Sequence, residues 1–269
     1  MSSSQTDPTP AKVEEQRRLD DVQNRLERAI DEANQRLEQY KKEIQEQKEY
    51  LWESRDEMDH IEKISQRESI QQAVSTGDTI LAQRSRFQKL QRSPYFGRFD
   101  FRRSGEDEAH PTYIGVHSFY DDADNQPIVY DWRAPIATLF YDYETGTARY
   151  EAPEGEMEGE ITGKRQFRIK HRTIDLLIES SVNVVDDVLQ EELGRTSDDG
   201  MKNIVATIQR DQNAIIRNEH APVLIIQGVA GSGKTSIALH RIAFLLYRFK
   251  DTLSSDDILI LSPNKVFAD

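Results

Sequence analysis

Val223-Leu-Ile-Ile-Gln-Gly-Val-Ala-Gly-Ser-Gly-Lys-Thr235 is the stretch on which the reading of this chain turns. Its second part, Gly228 to Thr235, has the form G-x-x-x-x-G-K-[ST]. Glycine at Gly228, Gly231 and Gly233 lets the backbone curl, so that N–H groups from Val229 through Ala230 and Ser232 to Ser236 can turn toward phosphate oxygens. A side chain at Gly231 or Gly233 would obstruct that approach. Lys234 supplies a mobile charge for β- and γ-phosphates, and the Thr235 hydroxyl suits Mg²⁺, which gives these two residues the catalytic roles. A helix starting here adds the positive end of its dipole.

The surroundings fit a βαβ unit. Val223–Gln227 reads as a buried strand leading in, Thr235–Phe249 as an amphipathic helix leading out, and Asp257–Leu261 as the next parallel strand. Ile237, Leu239, Ile242, Leu245 and Leu246 are expected largely on one helix face. Residues 201–269 are therefore expected to be the first part of a RecA-like ATP-binding lobe. Upstream, Ile208-Gln-Arg-Asp-Gln-Asn-Ala-Ile-Ile216 places Gln212 a helical segment ahead of the loop. An amide donates and accepts at once, which matches the N6 and N7 edge of adenine. Arg217 and the loop to Pro222 are close enough in sequence to contribute.

The front of the chain has another pattern. From Ala11 to Ser93 there is no proline and a single glycine, Gly77. Leu19, Leu26, Ala33 and Tyr40 fit heptad position d, and Ile30, Leu37, Ile44, Leu51 and Met58 fit position a. A second run, Ile70 to Leu90, spaces its apolar residues similarly. Residues 11–93 thus read as a helical coiled-coil arm that folds back between Trp52 and Arg67, with residues 1–10 as a disordered tail. A single continuous helix pairing with a second copy is the alternative. Asp56, Glu57 and Asp59 fall where the arm would turn.

Past Pro94 the pattern becomes short aromatic and β-branched runs between turn residues. Candidate strands are Gly97–Arg102, Tyr113–Tyr120, Ile128–Trp132, Thr138–Tyr143, Ala148–Glu151 and Glu160–Lys170, with hairpin turns at Asp122–Gln126 and Glu144–Gly146. Residues 94–172 read as a small, mainly antiparallel β domain. Residues 173–200 read as a helical connector, with helices near Ser181–Leu193 and Lys202–Arg217. Asp131-Trp-Arg-Ala-Pro135 is the most distinctive string, read as a packed strand end or a binding platform. His110, His117 and His171 do not fall at metal-ligand spacings. The fold class is accordingly α+β and α/β multidomain: arm, antiparallel β domain, then a truncated P-loop lobe.

The composition bounds the function. The chain has 269 residues, no cysteine, and a net charge of −13. That charge divides as −3 over residues 1–92, −12 over 93–200 and +2 over 201–269. An acidic middle repels nucleic acid and favours a protein partner. No apolar run approaches the roughly 20 residues that span a bilayer, and no signal peptide starts the chain, so a cytoplasmic protein that meets no membrane is expected.

Several of these strings carry a family resemblance. The segment around Gln212 resembles the adenine-reading Q motif of UvrD/Rep superfamily 1 helicases, and Ser262-Pro-Asn-Lys-Val-Phe-Ala-Asp269 resembles their motif Ia, which touches single-stranded nucleic acid. The charged arm, Ser93–Phe101, Val129–Pro135, Tyr150-Glu-Ala-Pro153 and the glycine loop together resemble the HelD-type family of helicase-like factors. That resemblance implies an ATP-dependent motor that recycles RNA polymerase. Its arm would enter the polymerase secondary channel, with Asp56, Glu57 and Asp59 as candidate tip residues, and single-stranded DNA could meet the motor lobe. Nothing after Thr235 supplies a Walker B acid pair, so the chain as it stands is expected to hydrolyse ATP negligibly. Direct DNA unwinding is the alternative function, and a coiled-coil ATPase of the chromosome-maintenance kind is a third reading.

Overall fold

In the computed structural model the described residues are 10–54, 58–120, 127–179, 210–229 and 231–261. The chain forms two compact units: Met1–Phe99, Pro111–Asp131 and Arg165–Glu179 make the first, and Asp100–His110, Trp132–Lys164 and Ser180–Asp269 the second. The expected tail, Asp56, Glu57, the turn at residues 122–126, the helix near 181–193 and the segment from Ser262 lie outside the described residues.

The first unit opens with α1 (Pro10–Glu53) and α2 (His60–Arg92). The two helices pack against each other. Arg84 bonds Asn34 at 3.1 Å and Gln91 bonds Glu27 at 3.3 Å, so the partners are one heptad apart on both helices and run in opposite senses. The fold-back within one chain is therefore as expected, and α1 alone is about 65 Å long at 1.5 Å per residue. The link is short because Asp59 caps α2. Its Oδ1 accepts from Glu62 N at 2.8 Å, and Glu62 Oε2 accepts from Asp59 N at 3.1 Å. Met58 sits in this link and not on the helical seam.

Burial along α1 corrects the expected seam. Glu15, Leu19, Val22, Leu26, Ala33 and Leu37 are buried, whereas Ile30 is half-buried. Near the root, Leu19, Val22, Leu26 and Leu90 join a core with Tyr95, Tyr113, Val129, Phe167 and Ile174. Further out, Ala33, Leu37 and Ile80 pack with Tyr40. Among the described residues from 41 to 79 none is buried, and the tip leaves Tyr50, Trp52 and Ile61 exposed.

The strands are β1 (Gly97–Arg103), β2 (His110–Gly115), β3 (Phe119–Tyr120), β4 (Pro127–Asp131), β5 (Gly146–Ala152), β6 (Gly155–Lys170) and β7 (Thr173–Glu179). Their order is β3-β4-β2-β1-β6-β5, with β7 also paired to β6. The sheet is mixed and not purely antiparallel, because β2 and β4 run parallel. β7 replaces part of the expected connector helix. Its residues Thr173–Glu179 continue from β6 through a two-residue turn in which His171 and Arg172 take φ of 49° and 66°, the left-handed geometry that a tight hairpin demands. This turn holds α1: Ile174 N donates to Gln16 Oε1 at 2.9 Å, and Arg172 pairs with Glu27.

Glu15 is fully buried at the root of the arm. Its Oε1 accepts from Arg98 at 2.5 Å and Arg165 at 2.7 Å, and its Oε2 accepts from the Tyr113 hydroxyl at 3.0 Å. Tyr95 packs on Tyr113, and its buried hydroxyl finds no hydrogen-bond partner among the described residues. Burial, first of all, pushes both phenols well above their ordinary value of 10.0. The folded state thus keeps these protons where the unfolded chain would lose them, so stability is full below pH 10 and falls as pH rises above it. Glu15→Ala should cost about 3–5 kcal/mol, because it removes the buried carboxylate that Arg98 and Arg165 share. Tyr95→Phe should leave stability at pH 7 unchanged or raised by about 1 kcal/mol, and blunt the alkaline loss. Urea denaturation at pH 7 and pH 11 checks both.

Candidate functional site

The site-bearing unit is built around two helices, α4 (Arg210–Ile216) and α5 (Lys234–Arg248), which pack on each other. Arg241 Nη1 donates to Ile215 O at 2.9 Å and joins them. A 3₁₀ turn at Pro135–Ala137 runs into a third helix, α3 (Thr138–Asp142). Thr138–Tyr143 reads as a strand by propensity, and this is corrected: Leu139, Phe140 and Tyr141 are all buried in succession within one short helical turn. Propensity yields here to tertiary packing. Lys164, 9% exposed, donates to Phe140 O at 2.5 Å and Tyr143 O at 2.6 Å, so it caps the end of α3. Burial lowers its pKa to about 8.

The glycine loop enters α5 as expected. Gly231 and Gly233 have φ of 82° and 77°, and Gly233 is the residue from which the helix starts. A Cβ at Gly228 would lie 2.6 Å from Ser232 Oγ. No side chain caps the first turn of α5, and the first helical bond is Ile237 N to Gly233 O. The amides of Lys234, Thr235 and Ser236 therefore precede the helical ladder. The Lys234 ammonium donates to Gly228 O at 3.0 Å, Val229 O at 2.6 Å and Ser232 Oγ at 3.4 Å, which holds the loop curled around it. Gly228, Val229, Gly231, Ser232, Gly233, Lys234, Thr235 and Ser236 are thus one contiguous set; Ala230 is outside the described residues. Left-handed glycines, capless amides, a lysine and a hydroxyl form a donor set that fits a polyphosphate with its Mg²⁺.

Gln212 lies on α4, half-buried. Its neighbour Asn213 is fully buried and donates to Asp142 Oδ1 at 2.8 Å. Burial raises the pKa of Asp142, against the pull of Asn213 and Arg217.

The flanking segments differ from expectation. Val223–Gln227 forms no strand, and Val223 and Ile225 are 76% and 79% exposed. Ser255–Asp257 is a 3₁₀ turn, and Leu259 and Leu261 beyond it are 81% and 85% exposed. A strand exists only through a hydrogen-bonded neighbour, and neither run has one among the described residues. The buried face of α5 is also narrower than the expected apolar stripe. It consists of Ile237, His240 and Phe244, with Leu239, Ile242, Leu245 and Leu246 half-buried.

What covers that face was only half legible in the sequence. Trp132 meets the His240 ring edge-on at 5.5 Å, and Arg133 lies over the Tyr247 ring at 4.8 Å. The Trp132-Arg-Ala134 turn is thus the packing partner of α5, as a packed strand end would be, and its ligand is a helix. His240 Nδ1 donates to Ser236 O at 2.6 Å, with Ser236 Oγ at 3.5 Å, so Ser236 faces its own helix. Burial lowers the His240 pKa below 6.5. The unfolded chain takes up this proton first, so the contribution is full above pH 6.5 and lost as pH falls below it. Melting temperature should therefore drop between pH 7 and pH 5.5, and His240→Leu should lose much of that slope.

Among the described residues no helix is long and apolar enough to cross a membrane. A comparison with curated proteins found no match. The family profile described as the N-terminal domain of the DNA helicase IV HelD matches residues 13–198, which takes in both arm helices and the sheet but stops short of α4 and the glycine loop. With more than half its length inside that match, the chain belongs to the HelD N-terminal domain family.

Proposed function

We propose that the chain is the nucleotide-binding front portion of a helicase-like motor that binds RNA polymerase and remodels it or frees it from nucleic acid using ATP. The observation that carries the nucleotide half is the loop Gly228–Thr235, with two left-handed glycines opening a 15-residue helix and a lysine already held inside the curl. On this reading Lys234 would exchange carbonyl partners for β- and γ-phosphate oxygens, the first-turn amides would donate to the remaining phosphate oxygens, Thr235 would hold Mg²⁺, and Gln212 would read adenine. Mg²⁺ would supply neutralisation of the phosphate charge.

The arm supports the polymerase half. Among the described residues from 41 to 79 the hairpin has none that is fully buried, so its outer part is not built around its own core. It ends in Trp52 and Ile61, which are 75% and 76% exposed, beside acidic residues that include Asp59. Such an end suits insertion into a protein cavity. Asp59 is also committed to capping α2, so its share in any contact is through the exposed rim of that cap.

Direct action on DNA is the second reading, favoured by the description of the family as a DNA helicase. The net charge of −13 speaks against it, because a track for nucleic acid needs clustered basic side chains.

Lys234→Ala should weaken MgATP binding at least about tenfold in calorimetry. Equal affinity of the two proteins would remove the nucleotide assignment. Deleting the whole arm is not a clean test of the second half, because residues 15–26 of α1 belong to the core of the first unit. The double variant Trp52→Ser with Ile61→Ser leaves that core intact. It should retain helicity and lose retention on immobilised RNA polymerase at physiological salt. Unchanged retention, or salt-sensitive binding to single-stranded DNA without any to polymerase, would favour the second reading.

A further inference from the structure

Arg217 follows α4 directly, and its guanidinium reaches away from that helix. Nη2 donates to Trp132 O at 2.6 Å, and Nη1 to Arg133 O and Ala134 O, each at 3.3 Å. Nε donates back to Asn213 Oδ1 at 2.9 Å, and the guanidinium carbon stands 5.2 Å from the centre of the Phe244 ring on α5. Asn213 is itself bound to Asp142 at the end of α3. One side chain therefore connects the 132–134 turn, α3, α4 and α5. The sequence places Arg217 near enough to touch a nucleotide, but its geometry commits it to protein carbonyls.

We propose that Arg217 is the positioning residue for the base-reading side of the nucleotide site. It fixes α4, and Gln212 with it, against α5, whose first turn completes the phosphate loop. This rests on the reading above that Gly228–Thr235 and Gln212 take ATP.

The chemistry explains why an arginine stands there. Three carbonyls converging from one turn need several donors in one plane, which a guanidinium has and an ammonium lacks. Its flat face is then available for the ring of Phe244. The described part of α4 is held by its contacts, Asn213 to Asp142 and Arg217 to the 132–134 turn, so its position is a product of tertiary contacts. The phosphate loop differs. Its curl is made locally by Gly231, Gly233 and Lys234. Loosening Arg217 should therefore displace the base-reading amide and spare the phosphate grip. Discrimination between bases depends on paired polar groups meeting without misplacement, which makes it the sensitive readout.

The test uses the 269-residue chain as wild type, Arg217→Ala, Arg217→Lys and Gln212→Ala. Each is titrated calorimetrically with MgATP, MgGTP and inorganic tripolyphosphate, with melting curves as a folding check. The wild type should prefer ATP to GTP. Arg217→Ala and Gln212→Ala should both lower that ATP-to-GTP ratio by about tenfold, the worth of one good polar pairing, and leave tripolyphosphate affinity within about twofold. Arg217→Lys should fall between. If Arg217→Ala does not fold, a lowered ratio in a folded Arg217→Lys supports the assignment, and an unchanged ratio overturns it. A wild-type ratio in folded Arg217→Ala overturns it too, as does a parallel loss of ATP and tripolyphosphate, which would make Arg217 a general scaffold. Wild-type protein that binds neither ATP nor tripolyphosphate instead defeats the nucleotide reading itself. Wild-type protein that binds ATP and GTP equally, with Gln212→Ala unchanged, removes the base-reading side and the proposal with it.

Discussion

A carboxylate with no access to water, Glu15, holds the arm of this protein to its sheet. Arg98, Arg165 and the Tyr113 hydroxyl converge on its two oxygens from β1, β6 and β2. Burying a charge is costly unless it is paired and hydrogen-bonded, and the return on satisfying it is specificity: only one axial position of α1 brings the carboxylate between both arginines. A one-turn slip would separate the buried carboxylate from both arginines and the Tyr113 hydroxyl. The apolar contacts of Leu19, Val22 and Leu26 supply adhesion but would tolerate sliding far better. Gln16, Gln23 and Glu27 add further polar contacts with the β6–β7 turn along the same helix. A lever more than forty residues long needs such a root, because any play there is multiplied at the tip.

The second unit meets an equivalent problem with a cation. Arg217 and Lys164 both end on main-chain carbonyls, three in one case and two in the other. Carbonyls at turns and helix ends have no ladder to satisfy them, so a cation from elsewhere in the unit, buried at Lys164 and half-buried at Arg217, is an efficient partner. The short helix α3 gains its definition this way. The glycine loop uses the same device in its own lysine, whose ammonium donates to Gly228 O and Val229 O.

Different parts of this design were legible in the sequence to different degrees. The helical arm showed in its heptads, which left open whether the apolar stripe is met within the chain or by a second copy; the contacts of Arg84 with Asn34 and Gln91 with Glu27 meet it within the chain. The glycine loop was legible because its chemistry is written in consecutive residues. Glu15 left little signal: in the same heptads it falls at g, beside the a/d seam, where a charge is ordinarily solvated. α3 misled because Leu, Phe and Tyr suit a strand when the surroundings are unknown. β7 was missed because Ile174, Leu176 and Ile178 alternate within a stretch that also supports a helical period. The exposed runs at Val223 and Leu259 carry strong strand propensity, yet among the described residues nothing pairs with them.

The amino-acid sequence by itself determined the elements whose physics is local: long helices from their period, the loop curl from its glycines, and the cap of α2 from Asp59 and Glu62. Only the tertiary structure decided that Trp132, Arg133 and Ala134 serve α5, that Arg217 turns away from solvent to three carbonyls, and that Glu15 is the anchor of the arm. The reason is that each of these is a pairing between residues some 80 or more positions apart. The worth of such a pairing depends on burial, which no single stretch of sequence contains.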